Sequence, residues 1–349
     1  MKILHIADLH LGAPNKKLSA EKQNIIKNEM LVQVEDLFDR AKAENYDVVL
    51  ICGDLFHGKS VTSKIKHTFF SAVENFQKPV LYIQGNHDEF FIDYTQCPSN
   101  FVILNKSNPF YNLNEFCFWG NVGKDILSMG FDANKKNILL LHGNIENPSD
   151  NDYIDKDEYN DFKFSYVAMG HIHQYKNYVF NDTDFVYSGS LFSNGFDECG
   201  IKGYVEVNID KEVHYEFIPF AKRKHAICEC DISNAKGYYD LVNKIRQKLL
   251  KDEISVDDLV KVILTGYYDE NFEKNTNLLS DEFAHYFYFT IEDKSKMKID
   301  IDKYKNETLS FKAEFIKLVE SEDIDESIKN LICTLGIESL KGEDLSIWK

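Results

Sequence analysis

Apolar and polar positions follow two rhythms along the first two-thirds of the chain. Lys2 to Ala7 and Asp47 to Cys52 are short β-branched-rich runs, the second apolar without interruption from Val48, as a strand buried on both faces requires. Between them Ile26, Met30, Val34, Leu37, Phe38 and Ala41 recur at helical spacing and predict an amphipathic helix from Ser19 to Ala43. Ser60 to Phe76 predicts a second helix and Pro79 to Ile83 a third strand. Strands then dominate: Phe116 to Gly120, Ile138 to Leu141, Tyr166 to Met169, Phe185 to Ser188, Tyr204 to Ile209 and His214 to Phe220. The pattern implies an α/β domain built on two packed sheets with helices outside.

A short basic cluster, Ala221-Lys222-Arg223-Lys224-His225, closes this region and sets a boundary, giving a first domain over 1–225. Beyond it Ala226 to Ile232 predicts a strand, Tyr239 to Leu250 a helix, and Leu259 to Gly266 and Phe283 to Ile291 two more strands. This is a compact βαββ unit over 226–300. From about Leu309, within a segment 301–349, two short helices are expected. Phe311, Phe315, Leu318 and Val319 line the first. Ile328, Leu331 and Ile332 line the second, with Gly336 as its C-cap.

Composition narrows the class. The chain has 349 residues, 44% hydrophobic and 13% aromatic, ample for two cores and against disorder. No apolar stretch approaches the roughly 20 residues of a membrane span, and the first eight residues are too short an apolar run for a signal peptide. Seven scattered cysteines, none spaced as CxxC, predict reduced thiols in the cytoplasm. The net charge is −17, shared as −8 over 1–225 and −9 over 226–349. A polyanion would therefore have to be held by local patches and bound cations and not by the global field.

Five segments carry the chemistry: Asp8-Leu9-His10, Gly53-Asp54-Leu55-Phe56-His57, Gly85-Asn86-His87-Asp88, His142-Gly143-Asn144 and Gly170-His171-Ile172-His173. Each follows a predicted strand. Loops at the carboxyl ends of strands converge on one crevice in an α/β sheet, so ligands far apart in sequence can meet. Asp, His and Asn are the oxygen and imidazole donors that suit borderline metals such as Mn, Fe or Zn. The glycines let the backbone turn sharply beside them.

The five segments, over about residues 1–200, resemble the calcineurin-like metallophosphoesterases, whose pattern is D-x-H, G-D, G-N-H-D/E, H and G-H-x-H. The resemblance implies an αββα sandwich and two divalent ions, Mn²⁺ foremost, sharing Asp54. It assigns Asp8, His10, Asp54 and His173 to one ion, and Asp54, Asn86, His142 and His171 to the other. His87 is implied outside the ligand set, acting on the transition state or on the leaving oxygen.

Substrate class divides the family. Its serine/threonine phosphatases continue Gly-Asp with two residues and Asp-Arg-Gly, whereas here His57 and Gly58 stand at that position. Gly-Asp-Leu-Phe-His, the opening Ile3-Leu4-His5-Ile6-Ala7-Asp8-Leu9-His10-Leu11-Gly12 and Tyr187-Ser188-Gly189-Ser190 are similar to the SbcD-type DNA repair nucleases. That similarity implies His57 positioning the nucleotide, a βαββ cap meeting DNA, and a helical C-terminal segment docked on an SbcC-like coiled-coil ATPase. A homodimer is among the assemblies it allows. Lys222, Arg223 and Lys224 are candidate phosphate contacts. The rival readings are a small-molecule phosphoesterase, for cyclic nucleotides or nucleotide-sugar pyrophosphates, and a non-catalytic scaffold holding metal for structure alone.

Overall fold

The computed structural model describes residues 1–15, 17–58, 61–88, 97–269, 272, 274–298, 301–305 and 310–340. The helix start expected at Ser60, the cap end near 300, the helix start near Leu309 and the last nine residues lie outside them. The chain divides into two compact units, Met1–His225 and Ala226–Lys349.

In chain order the first unit begins β1 (Lys2–Ile6), α1 (Ala20–Ala43), β2 (Val48–Cys52), α2 (Ser63–Phe76), β3 (Val80–Ile83) and β4 (Phe101–Leu104). It continues with β5 (Phe110–Leu113), β6 (Phe116–Gly120), α3 (Lys124–Gly130), β7 (Lys136–His142) and β8 (Tyr166–Gly170). The strands β9 (Lys176–Phe180), β10 (Thr183–Tyr187), β11 (Gly203–Ile209) and β12 (Val213–Pro219) complete it. One sheet has the order β12-β11-β1-β2-β3-β4 and the other β5-β6-β7-β8-β10-β9. The uninterrupted apolar run of β2 is buried along its whole length because it is central in the first sheet and covered on both faces.

The two sheets close on each other through Ile3, Leu50 and Leu81 from one side and Phe118, Leu140 and Val186 from the other. On the outer face of the first sheet, Leu37 and Phe38 of α1 pack with Phe69 and Val73 of α2. Ser19 and Thr62 cap these helices by accepting from the N–H groups of Lys22 and Ile65. Leu127 of α3, Tyr159 and Phe164 cover the second sheet. The result is the αββα sandwich that the resemblance implies. The strands β1, β2 and β3 run parallel to one another, as do β7 and β8, so five carboxyl ends carry the five polar segments. The short edge strands β4, β5 and β9 were not expected; only four or five residues each, they have too brief a period-2 pattern to read.

The second unit consists of β13 (His225–Asp231), α4 (Tyr238–Lys251), β14 (Leu259–Thr265), β15 (Tyr267–Asp269), α5 (Thr276–Glu282), β16 (Tyr288–Asp293) and β17 (Lys296–Lys298), then α6 (Ile301–Lys305), α7 (Phe311–Ser321) and α8 (Glu326–Leu340). It departs from the βαββ expectation. β14 and β16 pair in parallel, which a hairpin cannot achieve, so a crossover containing α5 joins them. Phe283, expected in a strand, instead ends α5 and stacks on Phe289 of β16.

The last two helices also differ from expectation. Gly336 is inside α8 and not at its end. A Cβ there would meet the ring of Phe315 at 2.3 Å, so glycine serves the close approach of α7 and α8. The buried apolar positions of this pair are Ala313, Ile316, Val319, Cys333 and Ile337, while Phe311, Leu318, Ile328, Leu331 and Ile332 are exposed. Both helices are apolar on more than one face, which leaves the phase of burial undetermined by spacing alone.

Phe118 is fully buried between the two sheets. Phe118→Ala is expected to destabilise the protein by about 3–5 kcal/mol, the usual cost of removing a core aromatic, read as a lowered midpoint in urea unfolding at unchanged slope.

Candidate metal centre

Where the chain leaves the strands it adopts backbone angles that favour glycine, yet the residues are ligand types. Asp8, His10, Asp54 and His171 have φ of 53°, 44°, 51° and 93°. Such conformations carry strain of order 1–3 kcal/mol each and persist where the surroundings over-determine them. Two glycines are required by close approach: a Cβ on Gly85 would fall 2.2 Å from Asp54 Oδ1, and one on Gly170 only 1.8 Å from the Cys52 carbonyl oxygen. Buried Asp88 ties the third loop to the second by accepting from the N–H groups of Leu55, Phe56 and Gly85 at 3.3, 2.9 and 2.9 Å.

Asp54 stands at the middle. Its Oδ1 accepts the N–H of His87 at 2.8 Å. Its Oδ2 lies 3.5 Å from His10 Nε2 on one side and 3.6 Å from His142 Nε2 on the other. On the first side His10 Nε2 is 3.1 Å from His173 Nε2, and one donor atom from each of Asp8, His10, Asp54 and His173 falls within 4.8 Å of all the others. On the second side His142 Nε2 is 3.1 Å from Asn86 Oδ1, and the rings of His142 and His171 meet edge to face at 5.3 Å.

The donor chemistry fits divalent ions. His142 Nδ1 donates to the Cys52 carbonyl at 2.8 Å, which leaves its Nε2 as an acceptor. Asn86 Nδ2 donates to Asp152 Oδ2 at 2.9 Å, which turns the amide oxygen inward. With protons assigned from this network, two acceptors face each other and Asp54 with no hydrogen to share. A cation satisfies all three. Burial pushes Asp8 up to about 6, an energetic cost that a bound cation relieves, and burial lowers His10 to about 4, keeping it a neutral ligand. His173 is pulled down by burial, but the hydrogen bond to Glu198 and the charges of Asp8 and Glu198 outweigh this and its pKa is raised.

All seven expected ligands are therefore gathered around one opening. His87 and His57 flank it: their rings stack at 5.8 Å and 14°, and lie 5.3 and 5.6 Å from the His10 ring. Sequence reading missed Asp150, Asp152 and Glu198. Asp150 Oδ2 is 3.7 Å from His171 Nε2, and Asp150, Asp152 and His171 form a second group of close donors. The signal available was the pair of acids following His142-Gly143-Asn144. These carboxylates make the surroundings of the candidate metal centre more acidic than Asp8 and Asp54 alone implied.

The basic cluster does something other than expected. Lys222 Nζ and Arg223 Nε reach Glu29 of α1 at 2.8 and 2.7 Å, and Arg223 Nη2 adds a second contact at 2.8 Å. Arg223 and then burial and Lys222 act on Glu29, whose pKa is lowered overall. A bidentate guanidinium is committed to its carboxylate, so Arg223, expected as a phosphate contact, braces onto α1, and the exposed Lys222 side chain shares the same carboxylate. Lys224 is half-buried in the same stretch.

A model of the calcineurin-like phosphoesterase family matches residues 1–181, more than half of the chain. The chain is a calcineurin-like phosphoesterase. Over 304 residues this phosphoesterase is 25% identical to the uncharacterized metallophosphoesterase YhaO of Bacillus subtilis, covering 76% of the chain and 72% of that protein. It is 29% identical to the DNA double-strand break repair protein Mre11 of Sulfurisphaera tokodaii over 193 residues, 49% of each. A dimetal phosphatase from Danio rerio superposes with a TM-score of 0.44 at 9% identity, over 63% of this chain and 99% of that one. Members of the family use divalent metals, and this phosphoesterase is a hydrolase of phosphate esters. Among the described residues no helix is long and apolar enough to cross a membrane.

Asp54→Asn is expected to lower the occupancy of both ions and abolish hydrolysis, and Asn86→Ala to weaken mainly one; metal analysis after dialysis checks both. Asp8 gives a pH dependence. Its folded pKa of about 6 lies above its unfolded value, so the metal-free fold holds the proton more tightly and loses stability as pH rises from about 4 to 6. Asp8→Asn is expected to raise the melting temperature of the metal-free protein above pH 6 while lowering metal affinity. In the parent, affinity is expected to fall as pH drops below about 6.

Proposed function

We propose that this phosphoesterase is a manganese-dependent DNA nuclease of the SbcD type, acting in the cytoplasm in double-strand break repair with an SbcC-like coiled-coil ATPase. The observation that carries the reading is the stacked pair of His57 and His87 beside the metal cradle. A phosphatase of the serine/threonine type would have a carboxylate where His57 stands. The likeness to an Mre11 protein named for double-strand break repair supports the reading over half of the chain. The exposed Phe311, Leu318, Ile328, Leu331 and Ile332 of α7 and α8 supply the apolar surface that an ATPase coiled coil would cover. Among the described residues the seven cysteines form no disulfide, in keeping with a reducing compartment.

The two ions, when bound, neutralise the phosphodiester and supply a nucleophile at neutral pH. The chain supplies the rest. The His87 backbone N–H is anchored to Asp54 while its ring projects to the open side, where it protonates the leaving oxygen. Burial and the neighbouring His87 hold His57 below the ordinary histidine pKa, so near neutral pH it meets the nucleotide as a hydrogen-bonding group and not as a charge. His57 Nδ1 is buried and has no hydrogen-bond partner among the described residues.

The small-molecule reading draws on a specific observation as well: the net charge is −17 and two of the three expected phosphate contacts are committed to Glu29. An assay panel with Mn²⁺ separates the two readings, using single- and double-stranded DNA with free ends, cyclic nucleotides and an aryl phosphodiester. DNA cleavage is expected, and His57→Ala should depress it more than aryl phosphodiester hydrolysis. His87→Ala should lose about 10²–10⁴-fold in turnover on both, the range for one acid–base group, with metal content unchanged. Hydrolysis of cyclic nucleotides alone would contradict the nuclease reading, and loss of metal in His87→Ala would place that residue among the ligands.

A further inference from the structure

The segment from Ser190 to Lys202 holds His173 from two directions. Glu198 Oε1 accepts from His173 Nδ1 at 2.7 Å, and Glu198 Oε2 accepts the N–H of Asn194 at 3.4 Å, so both carboxylate oxygens are engaged. The carbonyl of His173 accepts from Lys202 Nζ at 2.6 Å and from the N–H and hydroxyl of Ser190 at 3.3 and 3.4 Å. Lys202 is almost fully buried. Burying a lysine is costly unless its charge is used, and here it is used on the backbone of a ligand residue, with Glu198 and Asp8 as the nearby charges that favour it.

The corresponding histidine on the other side of Asp54 is held differently. His142 Nδ1 meets a neutral backbone carbonyl, that of Cys52. An imidazole that donates to a carboxylate is a more basic ligand through its other nitrogen than one that donates to a carbonyl, and outer partners of this kind set metal affinity. The two ion positions also differ in the charge of their own ligands. The first has the carboxylates of Asp8 and Asp54; the second shares Asp54 and otherwise takes Asn86, His142 and His171, with Asp150 and Asp152 one contact further out, against His171 and Asn86.

We propose that Glu198 is a positioning residue which, by accepting the Nδ1 proton of His173, directs Nε2 into the cradle of Asp8, His10 and Asp54 and makes that ion position the tighter of the two. The proposal rests on His173 being a ligand. It concerns only this chain's residues, since no substrate contact is asked of Glu198.

The test is Mn²⁺ binding to the full metal-free chain, followed by equilibrium dialysis with metal analysis and by the electron paramagnetic resonance of free Mn²⁺. The parent is expected to bind two ions in separate steps. Glu198→Ala should raise the dissociation constant of the tighter step by about 10–100-fold, the usual cost of losing such a partner, and leave the other step little changed. Glu198→Gln, which retains an acceptor oxygen without the charge, should fall between them and decides the matter if the alanine variant does not fold. Long-range ¹H–¹⁵N spectra of the metal-free protein at alkaline pH give a readout free of metal: His173 should be protonated at Nδ1 in the parent and redistribute between tautomers in Glu198→Ala. Parental dissociation constants for both steps in Glu198→Ala or Glu198→Gln would overturn the proposal while leaving the metal centre intact. A parent that binds no Mn²⁺ would instead overturn the ligand assignment, and the proposal with it.

Discussion

The carboxylate of Asp54 is shared between two sets of donors, each drawn from both sheets, and the rest of the active face is arranged to let it be shared. One of its oxygens is tied to the His87 backbone, and the other is left between His10 and His142. That placement requires the chain to turn off β2 with Asp54 at positive φ and requires no side chain on Gly85. It also requires β2 of the first sheet to pack directly over β7 and β8 of the second, because His142 and His171 arrive from there. The hydrophobic contact between the sheets is thus the support on which the metal centre is assembled. Side chains fully removed from water between the sheets favour packing by roughly 1.5–3 kcal/mol each, and this stabilisation offsets the strain of the turns and the burial of Asp8.

Around this centre the polar partners are matched to their tasks. Cys52 fixes the tautomer of His142, Asp152 fixes the amide of Asn86, and Glu198 holds His173. These three ligands are each aimed by a second group, so their donor geometry is set before an ion arrives. Preorganisation of this kind lets a centre act on charge developing at phosphorus without reorganising itself. His57 and His87 stand outside the ligand shell, parallel to each other, where substrate and not metal is their natural partner.

Much of this was legible in the sequence because the signals were local. Asp, His, Asn and Gly directly after β-branched runs are costly for strands, and five such interruptions mark five strand ends. The five segments could be picked out for that reason, and two packed sheets with helices outside followed from the alternation of strands and helices; naming Asp8, His10, Asp54, Asn86, His142, His171 and His173 as the ligands rested on the resemblance to the family pattern. What could not be read depends on long-range partners or ambiguous phase. Glu198 meets His173 from 25 positions further along, and Arg223 meets Glu29 from 194 positions away. Nothing in Lys222-Arg223-Lys224 itself distinguishes a phosphate contact from a brace onto α1. In α7 and α8 apolar residues occupy several faces, so spacing pointed to Phe311 and Leu318 where the structure buries Ala313 and Ile316. Gly336 looked like a helix end because glycine usually is one; here it admits the Phe315 ring.

The central claim is that two divalent ions bind on either side of one Asp54 oxygen. Anomalous diffraction from crystals grown with Mn²⁺ tests it most directly. The account predicts two peaks roughly 3.5–4 Å apart, the spacing of two-metal sites, one among Asp8, His10, Asp54 and His173 and the other among Asp54, Asn86, His142 and His171. A lone peak held by Asp150, Asp152 and His171, with no density beside Asp54, would contradict it.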